Sequence, residues 1–180
     1  MEKGKIIYLN GVSGTGKTTL SKTLQERLDE PFYWVASDVF CSWMAPKKFW
    51  SPFDILSLLF HTVKHYSDIG INSIVDVVHT QQDIELLDEG LRLLNEYPVL
   101  FVHVTCPVDE LHRRKTERGD PEVDKWLPYQ LEKFTPKEPY DITVDTHNET
   151  IEECADRIIA LINYPEKCKA FKTLWSQRTE

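Results

Sequence analysis

Lys5-Ile-Ile-Tyr-Leu-Asn-Gly-Val-Ser-Gly-Thr-Gly-Lys-Thr-Thr-Leu20 decides how the chain is read. The apolar run from Ile6 to Leu9 reads as a buried strand, and Asn10 and Gly11 end it. Gly11 to Thr18 then fits G-x-x-x-x-G-K-[ST] at every fixed position. A helical pattern follows from Thr18 to Leu28. Glycines let the backbone turn tightly and come close to a ligand. Successive amide N–H groups then line one concavity that suits an anion, and the start of the helix adds its positive dipole end. The ligand this predicts is a nucleotide, held through Gly11, Ser13, Gly14, Thr15, Gly16, Lys17, Thr18 and Thr19. Lys17 is expected to reach the β- and γ-phosphates, and the Thr18 hydroxyl to hold Mg²⁺.

Composition narrows the setting. A chain of 180 residues with 41% hydrophobic and 28% charged residues reads as a single domain, 1–180, with a real core. The net charge of -8 argues against nucleic acid as the main partner, because phosphate backbones demand basic surface. An acidic protein that binds ATP must make its positive field locally, so clustered Arg and Lys become informative. Cys41, Cys106, Cys154 and Cys168 contain no C-x-x-C pair, which favours reduced thiols over a zinc site or a disulfide framework. No signal peptide is visible, since Met1-Glu2-Lys3-Gly4 runs straight into the first expected strand, and no apolar run approaches a membrane span. A cytoplasmic protein without a membrane partner is expected.

Taken in order, the chain alternates strand and helix. A helix is expected over 17–29, a strand from Phe32 to Ala36, a helix over 53–67 and a strand from Ile71 to Val78. Further helices are expected from Gln82 to Asn95, after Pro107, from Thr150 behind a capping box with Glu153, and over 165–178. Val99 to Thr105 and Asp141 to Val144 complete the strands. Five such alternations predict an α/β fold: a parallel sheet with helices on both faces. Two stretches look irregular. Residues 39–52 carry Phe40, Trp43, Met44, Phe49 and Trp50 between prolines, and serve either as core or as the lining of an apolar pocket. Residues 119–140 carry Pro121, Pro128, Pro136 and Pro139 and look like a lid.

Several side chains stand out. Asp38 follows the second strand, where ligands sit in open α/β sheets, although capping a helix is the commoner task there. Asp76 lies inside an apolar strand, where a carboxylate needs a cation or a partner. An active-site role as a Walker B-like acid, orienting Mg²⁺ through water, competes with a structural pairing. Arg114 and Arg118 stand four apart near a helix end, placed either to complement the dipole or to meet phosphate oxygens. His61 and His65 have metal-ligand spacing, but no Glu follows His61, so the metalloprotease pattern is absent.

Three segments together resemble the chloramphenicol phosphotransferase family of P-loop kinases: Leu9 to Thr18, Cys106 to Asp120 with its Glu-Arg-Gly-Asp, and Tyr140 to Ala155. The resemblance covers most of the chain and is poorest over 39–70. It implies a three-layer P-loop fold built on five parallel strands, like nucleoside and shikimate kinases. An acceptor-binding insertion would lie at about 39–70 and a lid at about 119–137. It further implies transfer of the γ-phosphate of ATP to a hydroxyl of a small molecule, with ATP and Mg²⁺ required and antibiotic resistance as a possible role. Asp38 falls at the family's catalytic base, and Arg114 and Arg118 fall at its arginines before the lid. Asp38, Phe40, Trp43 and Asp76 would face the acceptor. Lys17, Asp38 and Arg118 would carry catalysis, with Thr18 and Asp76 at the metal. A kinase of another acceptor (nucleoside, sugar or metabolite) shares the same nucleotide site, and a non-catalytic nucleotide switch would share it without needing Asp38.

Overall fold

Alternation with period two sends successive strand residues to opposite faces, and the strands of this chain carry apolar residues at both. Strand β1 (Ile6–Asn10) is buried at every position, as a central parallel strand must be. The computed structural model describes residues 2–43, 51–79, 84–119, 121–134 and 139–179. Strands β2 (Phe32–Ala36), β3 (Asn72–Val77), β4 (Val99–Thr105) and β5 (Ile142–Asp145) join β1 in one sheet of order β2-β3-β1-β4-β5. Every pairing is parallel. Strands β3 and β4 are buried almost throughout, whereas the edge strands β2 and β5 each carry one exposed and at least one half-buried position.

Helices α1 (Lys17–Arg27), α2 (Ser37–Trp43), α3 (Pro52–Asp68), α4 (Ile84–Leu94), α5 (Val108–Arg118), α6 (Pro121–Lys133), α7 (Ile151–Ile162) and α8 (Ala170–Thr179) fill the connections. Two cores result. On one face Tyr8, Val75 and Phe101 pack against Phe60 of α3, Leu91 of α4 and Phe171 of α8. On the other, Leu9, Ile74 and Val102 pack against Leu20 and Leu24 of α1 and Ile158 of α7. The chain leaves β1 toward the α1 face and leaves β3 toward the α4 face. Their carboxyl ends therefore border a crevice of the kind where ligands bind in open α/β sheets.

The first face also carries a polar thread, buried at Tyr8, Asn10 and His79 and half-buried at Tyr140. The Tyr8 hydroxyl is hydrogen-bonded to His79 Nε2. The His79 backbone N–H donates to Asn10 Oδ1 at 3.0 Å, and Asn10 Nδ2 donates to the Tyr140 hydroxyl at 2.9 Å. The Tyr140 ring stacks on His103, 4.8 Å between centroids.

Some expected boundaries move. Helix α1 stops at Arg27, with Leu28 extended beyond it. The expected terminal helix over 165–178 divides into a 3-10 turn, Pro165–Lys167, and α8. Residues 39–43 are helical rather than irregular, and 44–50, with Met44, Phe49 and Trp50, lie outside the described residues. The start of the helix expected at Gln82 also lies outside them. The largest difference is α6, thirteen helical residues in a stretch that reads as irregular. Proline at its first position needs no N–H partner there, and Leu127, Leu131 and Phe134 form an apolar stripe that docks it on Val12 and Leu111.

Candidate active site

The loop between β1 and α1 turns through Gly14 and Gly16, both at φ +91°, a left-handed conformation that favours glycine. Gly11 is needed for a different reason: a Cβ there would stand 2.2 Å from the Val104 carbonyl oxygen. The loop is thus seated directly on β4. Thr15 braces it by donating its hydroxyl to the Val12 carbonyl at 2.9 Å. Helix α1 begins at Lys17 with no side-chain cap, leaving its first amides to the loop's concavity.

Lys17 is buried, and its ammonium donates to the carbonyl oxygens of Gly11 at 2.7 Å and Val12 at 3.3 Å. Asp76 approaches to 3.8 Å and also accepts from the Thr18 hydroxyl at 3.1 Å. The sheet register explains the meeting: Asp76 lies beside Leu9 on one side and Ala36 on the other. Burial lowers the Lys17 pKa, opposed by Asp76 and Asp38 and reinforced by Arg118. Burial likewise raises that of Asp76, opposed by Lys17 and Thr18 and reinforced by Asp38. The Trp34 indole N–H makes no hydrogen bond of good geometry, yet lies close enough to favour the Asp76 carboxylate.

Asp76 thus meets both Lys17 and Thr18, and the charge of Asp38 reaches Lys17 and Asp76, as that of Arg118 reaches Lys17. Asp38 sits in the first turn of α2 and is exposed, so it is not the residue before the helix. Arg118 is exposed in the last turn of α5, which Gly119 ends in a left-handed conformation. Thr19 is exposed on the first turn of α1. Phe40 is buried in the core below α2, while Trp43 is 69% exposed with its ring 4.8 Å from that of Phe40.

Arg114 is more firmly held than Arg118. It donates to Glu110 at 2.7 Å, to the Thr146 carbonyl at 2.7 Å and hydroxyl at 2.9 Å, and to the Gly14 carbonyl at 3.4 Å. Thr146 in turn donates to the Thr15 carbonyl at 2.7 Å. Arg114 therefore fastens the loop to the segment after β5. Thr146, Trp34 and Gln130 are site residues that the sequence reading did not single out. Thr146 lies inside the Tyr140–Ala155 segment, so that match carried a signal for it. Nothing local marks Gln130.

The donor set fits a nucleotide with its divalent cation. Turned glycines leave room for phosphate at the backbone, and a buried carboxylate beside the Thr18 hydroxyl supplies the oxygen ligands Mg²⁺ prefers. Among the described residues, no group of three or more His, Cys, Asp or Glu could hold a metal by itself. His61 lies 3.8 Å from Glu89.

The model of chloramphenicol phosphotransferase-like proteins matches residues 4–163. The chain belongs to that family. This family member is 30% identical over 150 residues to the "Putative O-phosphotransferase Rv2636" of Mycobacterium tuberculosis, covering 67% of the chain and 65% of that relative. It thus spans about two thirds of the length of the mycobacterial protein. It is also similar to an adenylyl-sulfate kinase of Clostridium acetobutylicum, 25% identical over 88% of the chain and 82% of the relative. Its fold matches the APS kinase CysC of M. tuberculosis, solved with AMPPNP and APS: TM-score 0.69 and 16% identity over 91% and 99% of the two chains. By family this chain is chloramphenicol phosphotransferase-like, and its fold is the P-loop fold of the APS kinase it matches.

Proposed function

We propose that the protein transfers the γ-phosphate of ATP to a hydroxyl of a small molecule. One observation supports the reading most: an exposed carboxylate, Asp38, opens the helix after β2, and its charge is felt by the buried Lys17 and Asp76 beside the turned loop. Lys17 and the amides of 11–18 hold the polyphosphate. Thr18 and Asp76 are the residues that would hold Mg²⁺, which when bound neutralises charge on the phosphate oxygens. Asp38 takes the proton from the acceptor hydroxyl as its oxygen bonds to the γ-phosphorus. The bond from that phosphorus to the bridging oxygen breaks, and ADP leaves. Arg118 offsets charge on the moving phosphoryl group. Such chemistry depends chiefly on positioning and charge stabilisation.

The acceptor meets the segment about 39–70, with the exposed Trp43 offering an aromatic face, and the segment about 119–137 covers the reaction from water. Family membership supports an antibiotic such as chloramphenicol as one acceptor to try, and the likeness to adenylyl-sulfate kinases supports adenylyl sulfate as another. Cys41, Cys106, Cys154 and Cys168 are thiols outside any disulfide, which suits a reducing cytoplasm.

ADP release in the presence of each acceptor tests the reading. A productive acceptor accelerates release by the wild type. Asp38→Ala lowers that rate by about 10²–10⁴-fold, while ATP affinity by calorimetry stays near normal. Full transfer by Asp38→Ala would remove Asp38 as the base.

A further inference from the structure

The amide cradle is not left to the loop alone. The Ser13 backbone N–H donates to Gln130 Oε1 at 2.7 Å, reaching across 117 residues to α6. Two other contacts bring Gln130 there. Leu127, three residues earlier and on the same helix face, is fully buried against Val12, the residue before Ser13. Leu131 and Phe134 flank the same apolar contact. Gly119, left-handed at φ +60°, separates α5 from α6, so α6 is joined to the rest of the site by a turn rather than a continuous helix.

We propose that Gln130 is a latch, a positioning residue that couples nucleotide arrival to the placement of α6. Its side-chain carbonyl holds the Ser13 amide until a phosphate oxygen takes that amide, and α6 is then released to settle over the nucleotide. The proposal rests on the nucleotide site described above. The exchange is favoured because a charged oxygen accepts from an N–H more strongly than a neutral amide oxygen does. The bond to Gln130 must nevertheless be surrendered, which weakens apparent nucleotide affinity by about three- to tenfold, the range for one neutral hydrogen bond.

Calorimetric titration of the full chain with Mg²⁺ and ATP, without acceptor, tests this. Gln130→Ala should bind ATP about three- to tenfold more tightly than wild type. Damage to the fold would act in the opposite direction, so a gain isolates the latch. Gln130→Glu should bind at least about tenfold more weakly, because its carboxylate keeps the Ser13 amide and repels phosphate. Unchanged or weaker binding by Gln130→Ala, with binding by Lys17→Ala lost, would overturn the latch and leave the nucleotide site standing. Unimpaired ATP binding by Lys17→Ala would overturn the nucleotide site, and the latch with it.

Discussion

Asp76 is 7% exposed, between strands and beside a buried lysine, so its charge has a cost that folding must offset. Burial raises its pKa above the usual aspartate range. Between about pH 3.9, the ordinary aspartate value, and that raised value, the folded chain holds a proton the unfolded chain has released. Stability arising from this group therefore falls as pH rises through that window. Asp76→Asn should remove that slope, and the difference between wild-type and variant unfolding midpoints across the acid range measures it. A difference that does not change with pH would contradict the burial account. Glu110 acts with the opposite sign. Arg113 and Arg114 hold its pKa at about 2, so its contribution is present above the usual glutamate range and is lost as pH falls toward that value. At this scale the sequence was informative where chemistry is written in a contiguous motif, as for Lys17 and Thr18, or in an anomaly, as for an acid amid apolar residues at Asp76. Gln130 and Thr146 act through contacts 117 and 131 residues distant, and no local pattern encodes those.

Helix α7 shows what a local signal can specify. Thr150 Oγ1 accepts from the Glu153 amide at 3.1 Å, and Glu153 accepts from the Thr150 amide at 2.8 Å, closing the capping box visible in the sequence. Thr150→Ala should cost about 1 kcal/mol, read from urea denaturation. Helix α6 shows the opposite case. Pro121 and Pro128 read as breakers, yet Pro121 opens the helix and only Pro128 lies inside it, where a proline costs about 3 kcal/mol or more that docking of an apolar stripe offsets. Leu127 is fully buried in that docking. Leu127→Ala should remove about 2–5 kcal/mol from it. The check is hydrogen exchange: amides of α6 should exchange faster while those of β1 and β4 keep their protection. Equal loss of protection everywhere would mean that α6 is not a separable unit. Helix α2 was likewise legible only as far as its aromatics, although it begins at Ser37, directly after β2.

For the molecule as a whole, five parallel strands were readable from five alternations, and the order β2-β3-β1-β4-β5 was not. Order is fixed by which distant runs pair, such as Leu9 with both Asp76 and Val102, and composition says nothing of that. The crevice created by this order joins β1, β3 and α1 into the binding framework, so ligand should stabilise the entire fold. Mg²⁺ with ATP at a hundredfold its Kd should add about 2.7 kcal/mol, seen as a rise in Tm. Lys17→Ala should abolish that rise, while leaving the unliganded Tm free to move either way.

The thread from Tyr8 through His79 and Asn10 to Tyr140 has a historical corollary. Tyr8, His79 and Asn10 are buried and each satisfies another, so losing one strands its neighbour at about 1–3 kcal/mol. Replacing both partners by apolar groups of matching shape escapes most of that penalty. Drift at these positions should therefore proceed by joint replacement, and descendants of this chain should differ there in couples rather than singly.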